Sequence, residues 1–370
     1  MQYGDRNDDG FSRKPNESSE VPVLTIFVSI IAYRDKELKQ TINQLIDNAD
    51  SPADLHFGVV TQDTKSQHPN LYYVPNMKHI KMHWSLARGA GLARSMAMKM
   101  YDGEDYFFQT DSHMLFEKGW DTDLLRMLKE SQELAGTDKV ILGQFPAPYY
   151  YDSQGDIVRP TTDKERSHEP TWTSVVLSWA GVWAGSREPM NHLEQPHESH
   201  TVLGALLFAP GFITSEVPYD PDISFMGEEV CFAIRAYTRG WKMYAPNKMV
   251  CWHHYTRKNL PKVWADDTAE RKWMDVEAKS QARIRDVLLG KDLGEFGIGD
   301  YGLYLKYQAM IGINFAEHYN YKVENNFQMS LLFQEVIPDA DSSRQSGYCL
   351  ADRHKECPGN GIGCECMCHE

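Results

Sequence analysis

YFFQTDSHMLF, residues 106–116, joins an apolar, strand-like run to the polar triplet Asp111-Ser112-His113 and then becomes apolar again. A short apolar run rich in aromatic residues is typical of a buried strand. Side chains at i and i+2 where a strand turns into a loop can converge on one cation, for which Asp111 offers an oxygen and His113 a nitrogen. The alternative is structural, with Asp111 capping the turn and His113 a buried, hydrogen-bonded histidine.

Strand-like runs and helical periodicity alternate along the first part of the chain. Strands are predicted at LTIFVSIIA (24–32), LHFGVVT (55–61), HIKMHW (79–84) and DYFFQT (105–110), and helices at 38–49 and 87–101. Such a series predicts a mainly parallel sheet flanked by helices, with a ligand crevice at the carboxyl ends of the strands. Asp111 and His113 lie at one of these ends.

The second part of the chain is more mixed. KVILGQF (139–145), TWTSVVLSW (171–179), TVLGALLFAPGFIT (201–214) and KMVCWHH (248–254) are strand-like, helices are predicted at 227–240 and 263–289, and 151–170 is predicted to be a loop. The length of 370 residues favours one large domain and a small one. We expect a disordered segment at 1–21, a catalytic domain at 22–336, a linker at 337–347 and a Cys/His-rich module at 348–370.

The overall charge and hydropathy limit the classes of partner. A formal net charge of -14 disfavours nucleic acid as a partner, although a local basic groove would be compatible with it. No run approaches the roughly 20 apolar residues of a membrane-spanning helix, and the polar N-terminal stretch lacks the apolar core of a signal peptide. We therefore expect no membrane association and a cytoplasmic location.

Five of the seven cysteines cluster near residue 360. This spacing suits a metal better than a disulfide framework that staples a whole fold, and it predicts a structural Zn²⁺ site. The alternative is a flexible, partly oxidised tail. The candidate ligands are Cys349, Cys357, Cys364, Cys366, Cys368 and His369, with His354 as a further candidate.

Paired carboxylates open the predicted helix at 227–240. Glu228 and Glu229 follow Gly227, and Asp222 stands just upstream. This stretch could present carboxylates to sugar hydroxyls or to an acceptor. The simpler interpretation is that acidic side chains complement the dipole of the helix at its N-terminus.

A histidine pair, His253-His254, lies at the end of another predicted strand. Because side chains alternate along a strand, only one of the two can face the crevice. With Asp111 and His113 it would complete an oxygen and nitrogen ligand set that fits Mn²⁺ better than Mg²⁺. The alternative is that both histidines fill core or surface positions.

Arg88 and Arg94 accompany Gly89 and Gly91 at a predicted helix N-terminus. Such an end carries free N–H groups and positive dipole character, and arginine adds bidentate geometry toward phosphate, so this is a candidate anion site. Neither GxGxxG nor GxxxxGK[ST] occurs at this helix, so neither a nicotinamide nor a P-loop site is indicated there.

Taken together, these motifs and their order resemble a known family, the cytoplasmic polypeptide N-acetylglucosaminyltransferases that modify hydroxyproline, which are related to the mucin-type polypeptide GalNAc-transferases. The resemblance runs in one consistent order from residue 27 to residue 315. It is carried by FVSIIAYRD (27–35), PYDPDISFMGEE (218–229), TRGWKMYAP (238–246), HHYTR (253–257) and GIGDYGLYLKYQAMIGINF (297–315).

The resemblance implies a fold class and an activity. The fold is α/β of the GT-A type, a Rossmann-like mixed sheet flanked by helices. The activity is transfer of a sugar, with retention of configuration, from UDP-GlcNAc to a hydroxyl of a protein.

The resemblance also assigns roles to residues. Asp111 and His113 match the metal triplet, and His253, two positions before the aromatic Tyr255, matches the third ligand, with His254 in reserve. Glu228 and Glu229 match the acidic helix start that meets sugar or acceptor, and Asp222 joins them as a catalytic candidate. The donor-binding candidates are Ala32, Tyr33, Arg34, Asp63, Arg88, Arg94, Asp111, Ser112, Tyr255 and Arg257.

The expected chemistry is assistance to a leaving group. A bound Mn²⁺, or Mg²⁺, would neutralise the charge that builds on UDP as the glycosidic bond breaks. The sequence identifies no nucleophile and no general base. Two alternatives stay open: glycosylation of a hydroxylated nucleobase in DNA, and an inactive sugar-binding module. The oligomeric state is not predicted.

Overall fold

The computed structural model describes residues 24–159, 171–178, 181–189, 194–256, 260–269 and 271–318. The predicted lead-in at 1–21, the linker at 337–347, the cysteine-rich module and Arg257 lie outside these residues, as does most of the predicted loop at 151–170.

The described part of the chain alternates strands with helices. The strands are β1 (Ile26–Tyr33), β2 (Leu55–Asp63), β3 (Met77–His83), β4 (Tyr106–Asp111), β5 (Met114–Phe116), β6 (Val140–Gly143), β7 (Ala147–Pro148), β8 (Tyr150–Tyr151), β9 (Ile157–Val158), β10 (Thr171–Ser178), β11 (Gly181–Pro189), β12 (His197–Ser199), β13 (Leu206–Pro210), β14 (Lys242–Ala245) and β15 (Cys251–His253). The helices are α1 (Leu38–Asn48), α2 (Ala90–Met98), α3 (Trp120–Ala135), α4 (Ile213–Glu216), α5 (Glu228–Tyr237), α6 (Trp273–Leu288) and α7 (Tyr301–Ile311).

A mixed sheet of eight strands forms the centre of the molecule, in the order β12-β14-β6-β13-β4-β1-β2-β3. β4, β1, β2 and β3 are parallel to one another, whereas β13 runs antiparallel to both β4 and β6. The predicted parallel β-α-β arrangement therefore holds for the first half of the sheet. It ends at β13, because that strand enters the sheet in the opposite direction.

Both faces of the sheet are covered, which explains the continuous apolar runs of β1 and β4. One core contains Phe108, Phe116, Trp120 and Phe208, all at most 1% exposed. Their rings make edge-to-face and tilted contacts at centroid distances of 5.1 to 6.1 Å. Burying each such side chain contributes about 1.5–3 kcal/mol to folding. This packing fixes the position of the end of β4 at Asp111.

A small three-stranded sheet, β5-β15-β7, stands at the carboxyl end of β4. β15 pairs antiparallel with β5, with His253 opposite Met114. Because Met114 follows Asp111-Ser112-His113 directly, this register brings the histidine pair of β15 next to the polar triplet.

Two predicted elements have different bounds in the structure. The strand predicted over 201–214 is shorter in the structure, because β13 ends at Pro210 and the chain then turns into α4. Gly211 lies at this turn and packs so closely on the Glu104 carbonyl that a Cβ there would collide with it. The helix predicted over 263–289 begins only at Trp273, because Lys272 has an extended backbone and the Trp273 N–H is bonded by Asp267 instead.

Among the helices of the described residues, none is both long enough and apolar enough to cross a lipid bilayer.

Candidate active site

A cleft of about 280 Å³ opens at the carboxyl ends of β1 and β4. Strand alternation decides which side chains of β1 reach it: Ile31 and Tyr33 line the cleft, and Ala32 points to the opposite face and is 3% exposed. The segment 261–264 closes one side of the cleft, and its Trp264 packs on Phe225 with ring centroids 5.1 Å apart.

Asp111, His113 and His253 meet in this cleft. One ligand atom from each lies within 4.8 Å of the others, and Nε2 of His253 is 3.4 Å from Oδ2 of Asp111. The two imidazole rings are edge to face at 4.6 Å, and the Tyr255 ring lies 4.1 Å from His253. One carboxylate and two imidazoles at this separation could hold a single divalent cation and leave coordination positions open for a ligand.

The other histidine of the pair lies in a different environment. Nδ1 of His254 is 2.8 Å from Oε1 of Glu37, and the ring packs against Tyr149 and Tyr151. The structure therefore brings His253, and not His254, to Asp111.

Arg94 connects Asp111 to the acidic start of α5. Its Nη2 donates to Oδ1 of Asp111 at 3.0 Å, and its Nη1 donates to Oε1 of Glu228. The side chain is buried, and the backbone of Gly204 packs against it so closely that a Cβ there would overlap the guanidinium. Arg94 is thus bound by two carboxylates.

The helix N-terminus that the sequence offers as an anion site lines the cleft at Gly89 and Ala90, and its first N–H is already bonded within the chain. The Ala90 N–H donates to the Ser224 carbonyl at 2.5 Å, and Gly89, with φ +98°, allows this approach because it has no Cβ. Both Gly89 and Gly91 allow the backbone at 220–224 to pack closely on this helix end, and the anion site stays a prediction. Arg88 is exposed and is not among the residues that line the cleft.

Burial controls the charge of the carboxyl groups at the start of α5. It raises the pKa of Glu228 to about 8, with the Arg94 guanidinium opposing the rise. Burial also raises the pKa of Glu229 to about 7, while the hydrogen bond that Glu229 accepts from the Gly204 N–H, at 2.7 Å, acts in the other direction. Both groups can therefore change protonation near neutral pH.

The environment of Asp111 favours its charged form. Burial alone would raise its pKa, but the hydrogen bond with His253 and the positive charge of Arg94 lower the pKa of Asp111 well below its usual range. A carboxylate that stays ionised at any physiological pH is suited to binding a cation.

Several predicted donor-binding residues do not line the cleft. Arg34 is bound by Asp266 at 2.8 Å and lies over the Trp84 ring. Asp63 accepts from the Thr64 N–H beyond the end of β2. The predicted catalytic candidate Asp222 is likewise outside the cleft, because it is exposed and its N–H donates to Asp220. Ser112, Tyr33 and Tyr255 do line the cleft.

Asp35, Gln62, Phe225 and Trp264 are among the cleft residues that the sequence predictions do not include. Asp35 and Gln62 follow or end strands β1 and β2, so their position at a carboxyl edge was a signal that could have identified them. Phe225 and Trp264 carry no such signal, because they reach the cleft from segments without regular structure.

A family model described as Glycosyltransferase (GlcNAc) matches residues 25–76 and 68–300, which is most of the chain. The chain belongs to this glycosyltransferase family. The match includes the whole cleft, from β1 through the segment 261–264. No curated protein gives a significant match to this glycosyltransferase.

Solved structures resemble this chain at low sequence identity. The crystal structure of GalNAc-T7 with UDP, GalNAc and Mn²⁺ has a TM-score of 0.51 and 14% identity, covering 83% of this chain and 59% of that chain. The chain therefore spans less than two thirds of GalNAc-T7. A structure of S. aureus TarS 1-349 in complex with UDP-GlcNAc has a TM-score of 0.45 and 15% identity, covering 84% and 77% of the two chains. The mixed α/β fold is thus similar to that of GalNAc-T7.

Proposed function

We propose that this glycosyltransferase transfers a sugar, GlcNAc, from a UDP-sugar to a hydroxyl of a protein acceptor, with a divalent cation and with retention of configuration. The observation that carries the proposal is the meeting of Asp111, His113 and His253 at the carboxyl edge of the sheet. The family match supports the reaction class, and the resemblance to hydroxyproline-modifying enzymes supports the acceptor.

The donor set fits Mn²⁺. Asp111 supplies a hard oxygen, and His113 and His253 supply nitrogens, a combination that suits Mn²⁺ better than Mg²⁺. When bound, such a cation supplies Lewis-acid stabilisation to the departing diphosphate. GalNAc-T7, which shares the fold, was crystallised with UDP and Mn²⁺.

Other residues of the cleft would orient the carboxylates and contact the donor sugar. Arg94 holds Asp111 and Glu228 in fixed relation, which orients one carboxylate toward the cation and the other toward the cleft. Oε2 of Glu228 is buried and has no hydrogen-bond partner among the described residues. A hydroxyl of the donor sugar would satisfy it, since a buried carboxylate oxygen without a donor is costly.

Retention of configuration requires the acceptor hydroxyl to reach the anomeric carbon from the same face that the diphosphate leaves. Glu228 and Glu229 would stabilise positive charge near the anomeric carbon of an oxocarbenium-like transition state. In a front-face route the departing phosphate itself accepts the proton of the acceptor hydroxyl, so no protein nucleophile is required. We assign no general base.

The proposal has two further parts that do not concern the cleft. The cysteines and His369 of the segment 348–370 would hold a structural Zn²⁺, and the cytoplasmic location follows from the resemblance. Both are carried by sequence alone.

The test is UDP release from a panel of UDP-sugars with Mn²⁺, followed by mass spectrometry of co-expressed proteins and DNA. UDP-GlcNAc should be hydrolysed, and Asp111→Asn should abolish hydrolysis. Asp102→Asn is the control, because Asp102 is exposed at the opposite edge of the sheet and pairs with Lys78. Equal turnover by the two variants would refute the assignment of the cation site, and a sugar found on DNA alone would refute the protein acceptor.

A further inference from the structure

The turn between β1 and α1 carries two carboxylates, and each binds a histidine from a different strand region. Oδ2 of Asp35 lies 2.8 Å from Nδ1 of His113, and Oε1 of Glu37 lies 2.8 Å from Nδ1 of His254. We propose that Asp35 and Glu37 are positioning residues that orient His113 and His253 for cation binding. This inference rests on the proposed function.

Asp35 is held rigidly. Its side chain is 2% exposed, Oδ1 accepts from the Glu37 N–H at 2.9 Å, and Oδ2 accepts from the Ser112 hydroxyl at 2.6 Å. The turn begins at Arg34, which has φ +48°, a left-handed conformation that is uncommon for a residue with a side chain. The surrounding contacts therefore fix the carboxylate before any cation arrives.

The contact with Asp35 selects one tautomer of His113. A carboxylate can only accept, so Nδ1 of His113 carries the proton and Nε2 carries the lone pair. The lone pair is what a metal ion requires, and a carboxylate behind a histidine ligand also makes that ligand more basic. Asp35 thus presents His113 in the form that binds a cation.

Glu37 acts on His253 through the neighbouring residue, His254. Oε2 accepts from the Tyr149 hydroxyl at 2.7 Å, while Oε1 binds His254, whose backbone N–H donates to the His113 carbonyl at 3.1 Å. Because neighbouring side chains of an extended segment point to opposite sides, holding His254 at Glu37 directs His253 toward Asp111. The effect of Glu37 on the site is therefore indirect and should be smaller than that of Asp35.

The Asp35→Asn variant tests whether Asp35 fixes the tautomer of His113. Asparagine keeps the shape, but its amide cannot accept from the Glu37 N–H on one side and from His113 on the other. If its oxygen faces Glu37, its NH₂ group faces Nδ1 of His113 and forces the proton onto Nε2. If the amide is turned around, its NH₂ group meets the Glu37 N–H. Either orientation weakens the site.

The experiment is a calorimetric titration of the purified full chain with Mn²⁺ at pH 8, without donor. Asp35→Asn should lower Mn²⁺ affinity by about 10–100-fold, and Glu37→Gln should lower it less. The matched control is Asp121→Asn, which removes another buried carboxylate bonded to two backbone N–H groups, those of Asp50 and Ser51, away from the cleft. Asp121→Asn should lower the Tm and leave Mn²⁺ affinity unchanged.

The outcomes distinguish the failure of this inference from that of the proposed function. If the wild type does not bind Mn²⁺, the proposed function fails with it. If the wild type binds and His253→Ala does not, but Asp35→Asn binds as tightly as the wild type, only the positioning role is overturned. Equal losses of affinity in Asp35→Asn and Asp121→Asn would also overturn it, because they indicate a general structural effect.

A measurement on the wild type covers the case in which Asp35→Asn does not fold. Long-range ¹H–¹⁵N correlation spectra of histidine-labelled protein at pH 8 report which ring nitrogen carries the proton. We expect the Nδ1–H tautomer for His113 in the metal-free chain, assigned by its loss in His113→Gln. The Nε2–H tautomer would contradict the inference.

Discussion

Nη2 of Arg94 lies 3.0 Å from Oδ1 of Asp111, and the whole guanidinium is buried in the floor of the cleft. The same guanidinium donates to Glu228 through Nη1, so a single side chain joins the candidate cation ligand to the candidate sugar-binding carboxylate. Two carboxylates held by one planar cation keep a fixed separation.

Replacing Arg94 should damage both stability and activity. Arg94→Met leaves the buried Glu228 and the partly exposed Asp111 without their cation, which should cost about 3–5 kcal/mol of unfolding free energy in the metal-free protein. Arg94→Lys keeps the charge but cannot bind both carboxylates with a fork, so it should retain most of the stability and lose activity. Urea unfolding and UDP release measure the two effects. Full activity in Arg94→Lys would show that the double contact is dispensable.

Gly204→Ala should reproduce part of the Arg94 defect without changing any charge. A Cβ at this position would overlap the guanidinium, and the same residue donates its N–H to Glu229. We expect a lower Tm and a fall in kcat of at least about tenfold, because a small displacement of catalytic groups is costly. Wild-type kcat in a folded Gly204→Ala variant would contradict the described packing.

His253→Ala and His254→Ala are a matched pair that tests which histidine binds the cation. His253→Ala should abolish Mn²⁺ binding in calorimetry, since it removes a ligand nitrogen next to Asp111. His254→Ala should chiefly lower the Tm, because it removes the partner of Glu37, and should weaken Mn²⁺ binding only partly. The reverse order of affinities would assign the site to His254.

Glu229 should make the metal-free protein less stable as the pH rises from about 4.5 to about 7. Burial raises the pKa of Glu229 from 4.5 to about 7, so the folded state binds more protons than the unfolded state in this window. Stability then decreases with increasing pH, by about 1–3 kcal/mol for this group.

Glu229→Gln should remove the contribution of Glu229 and leave that of Glu228, whose pKa burial also raises. The neutral amide keeps an oxygen for the Gly204 N–H, so the variant should match the wild type near pH 5 and have the higher Tm near pH 8. Thermal unfolding with a chelator present, at both pH values, measures the difference. Parallel pH profiles for the two proteins would mean that the pKa of Glu229 is not raised.

The local pattern of the sequence determined the early strands, the helix between β1 and β2 and the acidic start of α5. It also placed Asp111 and His113 at a strand end, because apolar periodicity and strand ends are properties of neighbouring residues. The limits of α6 and β13 were less accurate, since Lys272 and Gly211 take their conformations from tertiary contacts.

Only the tertiary structure decided which histidine faces Asp111. Strand alternation left His253 and His254 as alternatives and the resemblance favoured His253, whereas the pairing of β15 with β5, together with Glu37, separates them physically. The same holds for Arg94, whose pattern suggested an open anion site and whose partners are carboxylates distant in the chain. Such choices depend on which residues become neighbours after folding, so no local pattern contains them.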